Sequence, residues 1–497
     1  MFKNRFKSTI RQSPLDIINE FPDAIVKDVH WSIESIKSFQ DEKVGKIEKS
    51  DFPISECTAI IQKDGIKGYT FKIILNKIYD YTYNQDLQKY GILDGIRLTI
   101  NGSGYVIDAD GAKNVEISLS DPQVLTLWIA HIQRGEISDF DKRLLRLVIP
   151  IKADPQMDLI EYSGLRIGSN YTPAGLIEVS FNKKSYHVFK YEHPNTDDNY
   201  LIIDGLEPDD FAMFQHNTIA IITAMGFVSG DLYLDEYFYH TLDKDENYKV
   251  DYMCYQQMEE SAITNQAILD PLGFQQYVEA TGQSRIVEQF GVDMKKAVFS
   301  SLCQKIAGSL EFSRCCKLMI EGNQSKQMLL RAGIYSIALE TITGIINDQY
   351  EDKVNPIADK KLSKTIIDKM LSTLQEYDAF LDDYGLEILK SKLKNLNSPT
   401  NAKKLSKPFE IYGVNLTKED LDILNHRNKF LHGTSPFSED ELPGKTLELG
   451  LIVARLWFLL NVLMLKYAGY SGHIKNLPAL ILFRRKKNPE ESLYKII

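Results

Sequence analysis

Cysteine is scarce in this sequence, and the five present, Cys57, Cys254, Cys303, Cys315 and Cys316, are odd in number. They form no C-x-x-C pair and have no histidine nearby at zinc spacing, which argues against a disulfide framework or a zinc finger and reads as reduced core thiols. An apolar signal segment is also lacking. MFKNRFKSTIRQSPLD carries four basic residues but no apolar stretch and no small-residue cleavage site, so a cytoplasmic location is expected. No dinucleotide fingerprint is present: Gly102-Ser103-Gly104 lacks the third glycine and the following helix, and reads as a hairpin turn. Asp108-Ala109-Asp110-Gly111 lacks the remaining ligands of a calcium loop and reads as a turn too. His187 and His193 are too far apart in strand-rich sequence to suggest a metal site without a third ligand. Repeats with a period of 20 to 50 residues are missing, which sets aside solenoids and propellers. The N-terminal half shows no paired carboxylates, nucleophile elbow or metal cluster, so an enzyme there is disfavoured.

What is present fits a soluble, multidomain chain. Apolar residues make up 43% and charged residues 25% of 497 positions, ordinary for a globular protein and too many positions for a single core. The longest apolar run, Leu449 to Tyr467, is long enough to span a bilayer, but Arg455 and Asn461 near its middle favour a helix buried in protein, and no membrane partner is expected. The net charge of -10 conceals a split: residues 284–497 hold 31 Lys and Arg against 25 Asp and Glu, whereas the preceding residues hold 27 against 43. A basic part beside an acidic part suits nucleic-acid binding by one and electrostatic masking by the other; ordinary drift of surface charge is the competing reading.

From about Cys57 to Thr241, short alternating apolar runs separated by turn residues predict strands: YTFKIIL, IRLTIN, VEISLS, RLVIPI, LIEVSF and SYHVFKY. Asn182-Lys183-Lys184 is a polar link suited to a hairpin. One helix is expected over 209–225, followed by a strand in DLYLDEYFYH, where Tyr237, Phe238 and Tyr239 belong to either a binding surface or the core. The polar stretch 246–283 reads as a connector with short helices. Beyond it the periodicity becomes helical, with segments expected over 285–321, 325–350 (N-capped by Ser325), 362–379 and 386–396, then a loop through Lys407 and Pro408. Thr417-Lys418-Glu419-Asp420 has the form of a capping box, Gly433 suits the position after a helix end, and a final apolar helix is expected over 446–467. The fold class expected is therefore multidomain α+β: a β-rich region over 1–245, the connector, an all-α bundle over 284–475, and a basic tail over 476–497 that reads as a solvated end.

The helix that begins at the capping box carries LNHRNKFLHG. Arg427 and His432 stand in the order R-x4-H with Asn428 directly after the arginine; requiring that asparagine lowers the chance expectation for such a spacing from about 0.25 to about 0.01 in a chain of this composition. Cleaving RNA without a metal requires a group to move the 2′-hydroxyl proton and a fixed cation to hold charge on the phosphate. Histidine titrates near neutrality and performs the first task. Arginine offers the second through paired, permanently charged donors. Five positions apart on a helix, the two side chains diverge by about 140°, so convergence needs the last turn to unwind at Gly433. Asn428 is placed to bond the phosphate or to fix the Arg427 rotamer.

This segment resembles the HEPN superfamily and, within it, the ApeA-like bacterial defence proteins that join a larger N-terminal region to a C-terminal HEPN domain. The likeness is sharp over Arg427 to Gly433 and loose over 284–470; AIITAMGFVSGDLYLDEYFYH resembles segments found upstream of HEPN domains in such proteins. The resemblance implies a four- or five-helix bundle that dimerises so that two R-x4-H elements share a cleft. It also implies metal-independent endoribonuclease activity leaving 2′,3′-cyclic phosphate and 5′-OH ends, with no cofactor and no metal. RNA, tRNA among the options, is the implied substrate, and abortive infection started by a phage-derived trigger at the N-terminal region is the implied setting. A polar residue on an earlier helix often supports such sites; Glu340 in IALETITGII is the candidate, and a surface glutamate on an amphipathic helix is the competing reading. His426 beside the motif is either a further participant or a surface residue.

Overall fold

The computed structural model describes residues 18–19, 23–49, 54, 56–64, 68–76, 96–100, 103–107, 112–118, 122–167, 170–193, 196–243, 249–283, 285–381 and 383–497. Gly102 and the 108–111 segment lie outside them; the flanking strands Ile96–Ile100 and Ser103–Ile107 pair antiparallel with Ile100 opposite Ser103. The chain divides into two compact units, one of residues 1–265 with 293–304 and one of 266–292 with 305–497.

Among the described residues the first unit is built on a sixteen-stranded sheet, antiparallel apart from the pairing of Ile18–Asn19 with Gly164 and Leu165. Strand alternation sends successive side chains to opposite faces, and two helices use the two faces. In the register of Leu144–Ile151 against Glu236–Asp243, Arg146 lies opposite His240 and Val148 opposite Phe238. That face meets the helix Asp23–Gln40, whose Val29, Ile33, Ile36 and Phe39 share one core with Val148 and Phe238. On the other face Tyr239 meets the rings of Phe211 and Phe214, from the helix Phe211–Ser229. Tyr237, Phe238 and Tyr239 are thus core residues, each 0% exposed.

An ion pair is buried within the first of these layers. Arg146 donates from Nε and Nη2 to both carboxylate oxygens of Asp204, at 2.6 and 2.8 Å, and from Nη1 to Ser32 Oγ at 3.1 Å. Burial, reinforced by the neighbouring Arg146 charge, holds the His240 imidazole down to about 3, so it is neutral in the folded protein.

Several sequence expectations change. The hairpin link is two residues, because Phe181 pairs with Lys184; Asn182 and Lys183 both take positive φ, 51° and 61°, as a type I′ turn requires. DLYLDEYFYH is broken into Asp231–Leu232 and Glu236–Asp243 by a bend with Asp235 at φ 42°. The expected connector contains the strand Lys249–Gln257, which lies inside the sheet between Glu236–Asp243 and His131–Arg134. Its Met253 and Tyr255 enter the helix-facing core, with one flanking strand next to it in sequence and the other, His131–Arg134, more than a hundred residues away.

In the second unit the helix Met328–Gln349 is central, packing against Leu310–Gln324, Asn401–Ile411, Lys418–Leu431 and Thr446–Tyr467. The segment expected as one helix over 285–321 is three, Arg285–Phe290, Lys296–Gly308 and Leu310–Gln324; Gly291 at φ 74° ends the first, and Ser309 N-caps the last through Phe312 N–H. Ser325 is not an N-cap but closes the preceding helix, where its carbonyl accepts from Arg331 at 2.6 Å. The expected loop at Lys407 and Pro408 is helical. Proline there removes the amide that would bond the Lys404 carbonyl, and Asn347 Nδ2 donates to that carbonyl instead, at 2.8 Å.

Among the described residues three helices are long and apolar enough to cross a membrane, including the apolar C-terminal one, whose most apolar stretch is 72% buried inside the protein. Its Arg455 donates to Asp420 at 2.5 Å and pairs with Glu491. The tail, expected as a solvated end, therefore folds back: Tyr494–Ile496 pairs with His473–Lys475, and Glu491 also accepts from Lys495 and Asn476. A charge inside an apolar helix needs a partner, and the tail supplies one.

This anchoring predicts acid sensitivity. Burial pushes the Glu491 carboxyl up, but hydrogen bonds from Arg455, Lys495 and Asn476 outweigh it and hold the group down to about 2. A carboxyl lowered on folding stabilises the protein above its ordinary value near 4.5, and that contribution is lost as the pH falls toward 2. His473 acts in the same direction at higher pH. Burial first, then Lys475, lowers it to about 4 against the pull of Asp270, so its contribution is full above about 6.5 and disappears as the pH falls to about 4. Melting followed by Trp457 fluorescence, with Trp31 and Trp128 replaced by Phe, should show a midpoint that falls below about pH 6.5 and again below about 4.5. Glu491→Gln should lower the midpoint at neutral pH and flatten the second fall; an unchanged acid profile in that variant would mean the pair contributes nothing.

Candidate active site on the second unit

The helix Lys418–Leu431 is fixed at both ends. Thr417 Oγ1 accepts from Asp420 N–H at 3.1 Å, and Asp420 Oδ2 accepts from Thr417 N–H at 2.9 Å, closing the capping box. At the other end His432 is the C-cap and Gly433 takes φ 69°. Gly433 N–H bonds the Phe430 carbonyl at 3.0 Å and Thr434 N–H bonds the Lys429 carbonyl at 2.8 Å, the two bonds of a Schellman motif.

Asp420, Ile423, Leu424, Arg427 and Phe430 are the buried residues of this helix. Their spacing is that of a core-facing stripe, so Arg427 sits where an apolar side chain is expected. Close approach to the central helix occurs at Gly333, where an added Cβ would stand 3.4 Å from the Phe430 carbonyl oxygen. Across this interface Arg427 Nη2 reaches Glu340 Oε1 at 2.8 Å, and its Nη1 donates to Asn428 Oδ1 at 2.5 Å. Arg427 is 7% exposed, and its Nε has no hydrogen-bond partner among the described residues. Of five guanidinium N–H groups, two are engaged in these contacts, which leaves capacity for an anion.

The structure thus brings together Arg427, Asn428 and Glu340. The Glu340 side chain is 43% exposed, so it forms the solvent edge of the cluster. His432 is exposed on the departing turn, with φ -91° and ψ 11° in place of helical values. His432 N–H still bonds the Asn428 carbonyl at 3.2 Å, so the departure from helical dihedrals begins at His432 itself and the turn that joins it to Arg427 stays wound. His426 is half-buried on the same helix. Burial, and then Lys429, lower its pKa against the pull of Asp422, so its imidazole is held neutral.

Sequence reasoning missed the residues that hold this helix in place. Asp420 serves both the capping box and Arg455, so the N-terminal turn of the motif helix is tied to the apolar helix and, through Glu491, to the tail. The signal was a single arginine in a long apolar run, which has to find its carboxylates somewhere in the fold.

No protein-family model, no curated protein and no solved structure matches the chain.

Proposed function

We propose that the second unit is a metal-independent endoribonuclease of HEPN type, in which Arg427 holds the scissile phosphate and His432 moves the proton of the attacking 2′-hydroxyl or of the leaving 5′-oxygen. The observation that carries this reading is a guanidinium on the buried stripe of the motif helix, oriented by Glu340 and Asn428, one turn before an exposed imidazole at a helix end. In the reaction the 2′-oxygen bonds to phosphorus, the 5′-oxygen departs with a proton, and a 2′,3′-cyclic phosphate remains. Imidazole chemistry suffices for both proton transfers, and the arginine stabilises the charge that develops on the phosphate oxygens.

In this proposal two copies of the second unit pair so that their motifs face one RNA, tRNA being one option, in the cytoplasm and away from membranes. The acidic first unit restrains the basic one until a phage-derived trigger binds, giving an abortive-infection effector. The charge split between residues 1–283 and 284–497 supports this part. The competing reading is a scaffold that dimerises or binds RNA without cutting it. It draws on the same ion pair, since an arginine buried against a glutamate also serves to join two helices.

The test is incubation of purified protein with total RNA and with tRNA in the presence of EDTA. Shortened RNA carrying cyclic phosphate ends supports the nuclease; RNA that is bound but never shortened, with or without EDTA, supports the scaffold.

A further inference from the structure

His193 gains in the tertiary structure the partners that its sequence neighbourhood lacks. His30 and Glu34 stand four residues apart on the helix Asp23–Gln40, hence on one face, and that face meets the loop after the strand Lys184–Glu192. Ligand atoms of His30, Glu34 and His193 all lie within 4.8 Å of one another, and His193 Nε2 is 4.0 Å from Glu34 Oε1. The two imidazole rings lie 6.4 Å apart, inclined by 26°.

The loop decides which nitrogen of His193 faces the cluster. Thr196 Oγ1 donates to Asp198 Oδ2 at 2.7 Å, so it receives rather than donates at His193 Nδ1, 3.1 Å away. That places the proton of His193 on Nδ1 and the lone pair on Nε2. A carboxylate acting through a hydroxyl on the far nitrogen is the kind of outer support that metal-bound histidines have. His193 N–H also bonds the Asp198 carbonyl at 3.0 Å, which closes the loop on itself. The Nε2 lone pair already attracts a cation: Lys37 Nζ stands 3.1 Å from it and 3.8 Å from Asp198.

We infer that His30, Glu34 and His193 form a binding site for a divalent transition metal of the zinc class. Two imidazoles and one carboxylate are a donor set of intermediate softness, suited to zinc, cobalt or nickel and not to the all-oxygen preference of calcium or magnesium. A tetrahedral ion with ligands about 2.1 Å away sets them about 3.4 Å apart, so the trio has to close by about 1 Å. His30 and Glu34 are exposed and able to rotate, whereas His193 is buried and preset. Lys37 leaves the lone pair when the ion enters and is received by Asp198. Three protein ligands leave a fourth position for water. The ion clips the helix to the sheet's 193–198 loop, in the unit that does not contain the nuclease motif.

The experiment is titration of the intact, metal-stripped protein with Zn2+ by calorimetry and with Co2+ by visible absorption. The expected result is one tight ion per chain and an intense low-coordination cobalt spectrum. His30→Ala and Glu34→Ala, both at exposed positions, should each weaken binding at least about tenfold while circular dichroism stays unchanged. Lys37→Met, which removes the competing ammonium, should tighten it. Absence of binding at 100-fold excess of Zn2+, or binding that is unchanged in both His30→Ala and Glu34→Ala, overturns the proposal. Because neither readout involves RNA cleavage, its failure and that of the nuclease reading are separable.

Discussion

Arg427→Ala and His432→Ala should each reduce RNA cleavage by about a hundredfold to ten-thousandfold, the range that general acid–base groups and preorganised charge contribute. The two variants separate catalysis from stability. His432 is exposed at the helix C-cap, where alanine leaves the Gly433 and Thr434 backbone bonds in place, so its melting temperature should stay within a degree or two. Arg427→Ala removes a buried side chain and frees Glu340 to solvent, so a modest loss of stability is expected beside the loss of activity. Arg427→Lys keeps the charge and loses the paired donors, and should stay nearly as inactive. Glu340→Gln keeps a hydrogen-bonding acceptor for Arg427 and should lower activity less than either. Cleavage that persists undiminished in both alanine variants would remove the nuclease assignment and leave the scaffold.

The largest loss of stability should come from the first unit. Asp204→Ala leaves the Arg146 guanidinium, itself 0% exposed, with Ser32 Oγ as its side-chain hydrogen-bond partner among the described residues, in place of a carboxylate held by two bonds. Removing one member of a buried ion pair costs about 3–5 kcal/mol, a large share of the stability of an ordinary domain. His240, on the facing strand position, is neutral and offers no compensation. Replacing both members, as Arg146→Met with Asp204→Leu, should recover most of that loss, because the cost lies in the uncompensated charge rather than in the missing attraction. Urea denaturation of the three proteins measures this. A single variant within about 1 kcal/mol of the parent, or a double variant no better than the single, contradicts the argument.

Local signals in the sequence were decisive wherever the interaction closes within a few residues. The capping box at Thr417 and Asp420, the turn at Gly433, the bounds of the apolar helix Thr446–Tyr467 and the hairpin between LIEVSF and SYHVFKY are all set by neighbours in the chain. The same holds for the division into a strand-rich and a helical region, since the two periodicities of apolar residues differ.

What required the fold is of another kind. Lys249–Gln257 looks polar and irregular until the preceding strand on one side and the distant His131–Arg134 on the other accept its backbone. Pro408 reads as a helix breaker until Asn347 takes over the bond it removes. The tail reads as free until Arg455, buried in the apolar helix, calls for Glu491. His193 has no second histidine within five residues along the chain, and comes to face His30 and Glu34 because a helix packs across the sheet. Spacing alone named Arg427, Asn428 and His432, whereas the pairing of Arg427 with Glu340 depends on two helices meeting at Gly333. Patterns along the chain encode dihedral preferences and which face is apolar; they do not encode which separate segments will supply the counter-charge or the missing hydrogen bond, because that choice is made only when burial removes water as the alternative partner.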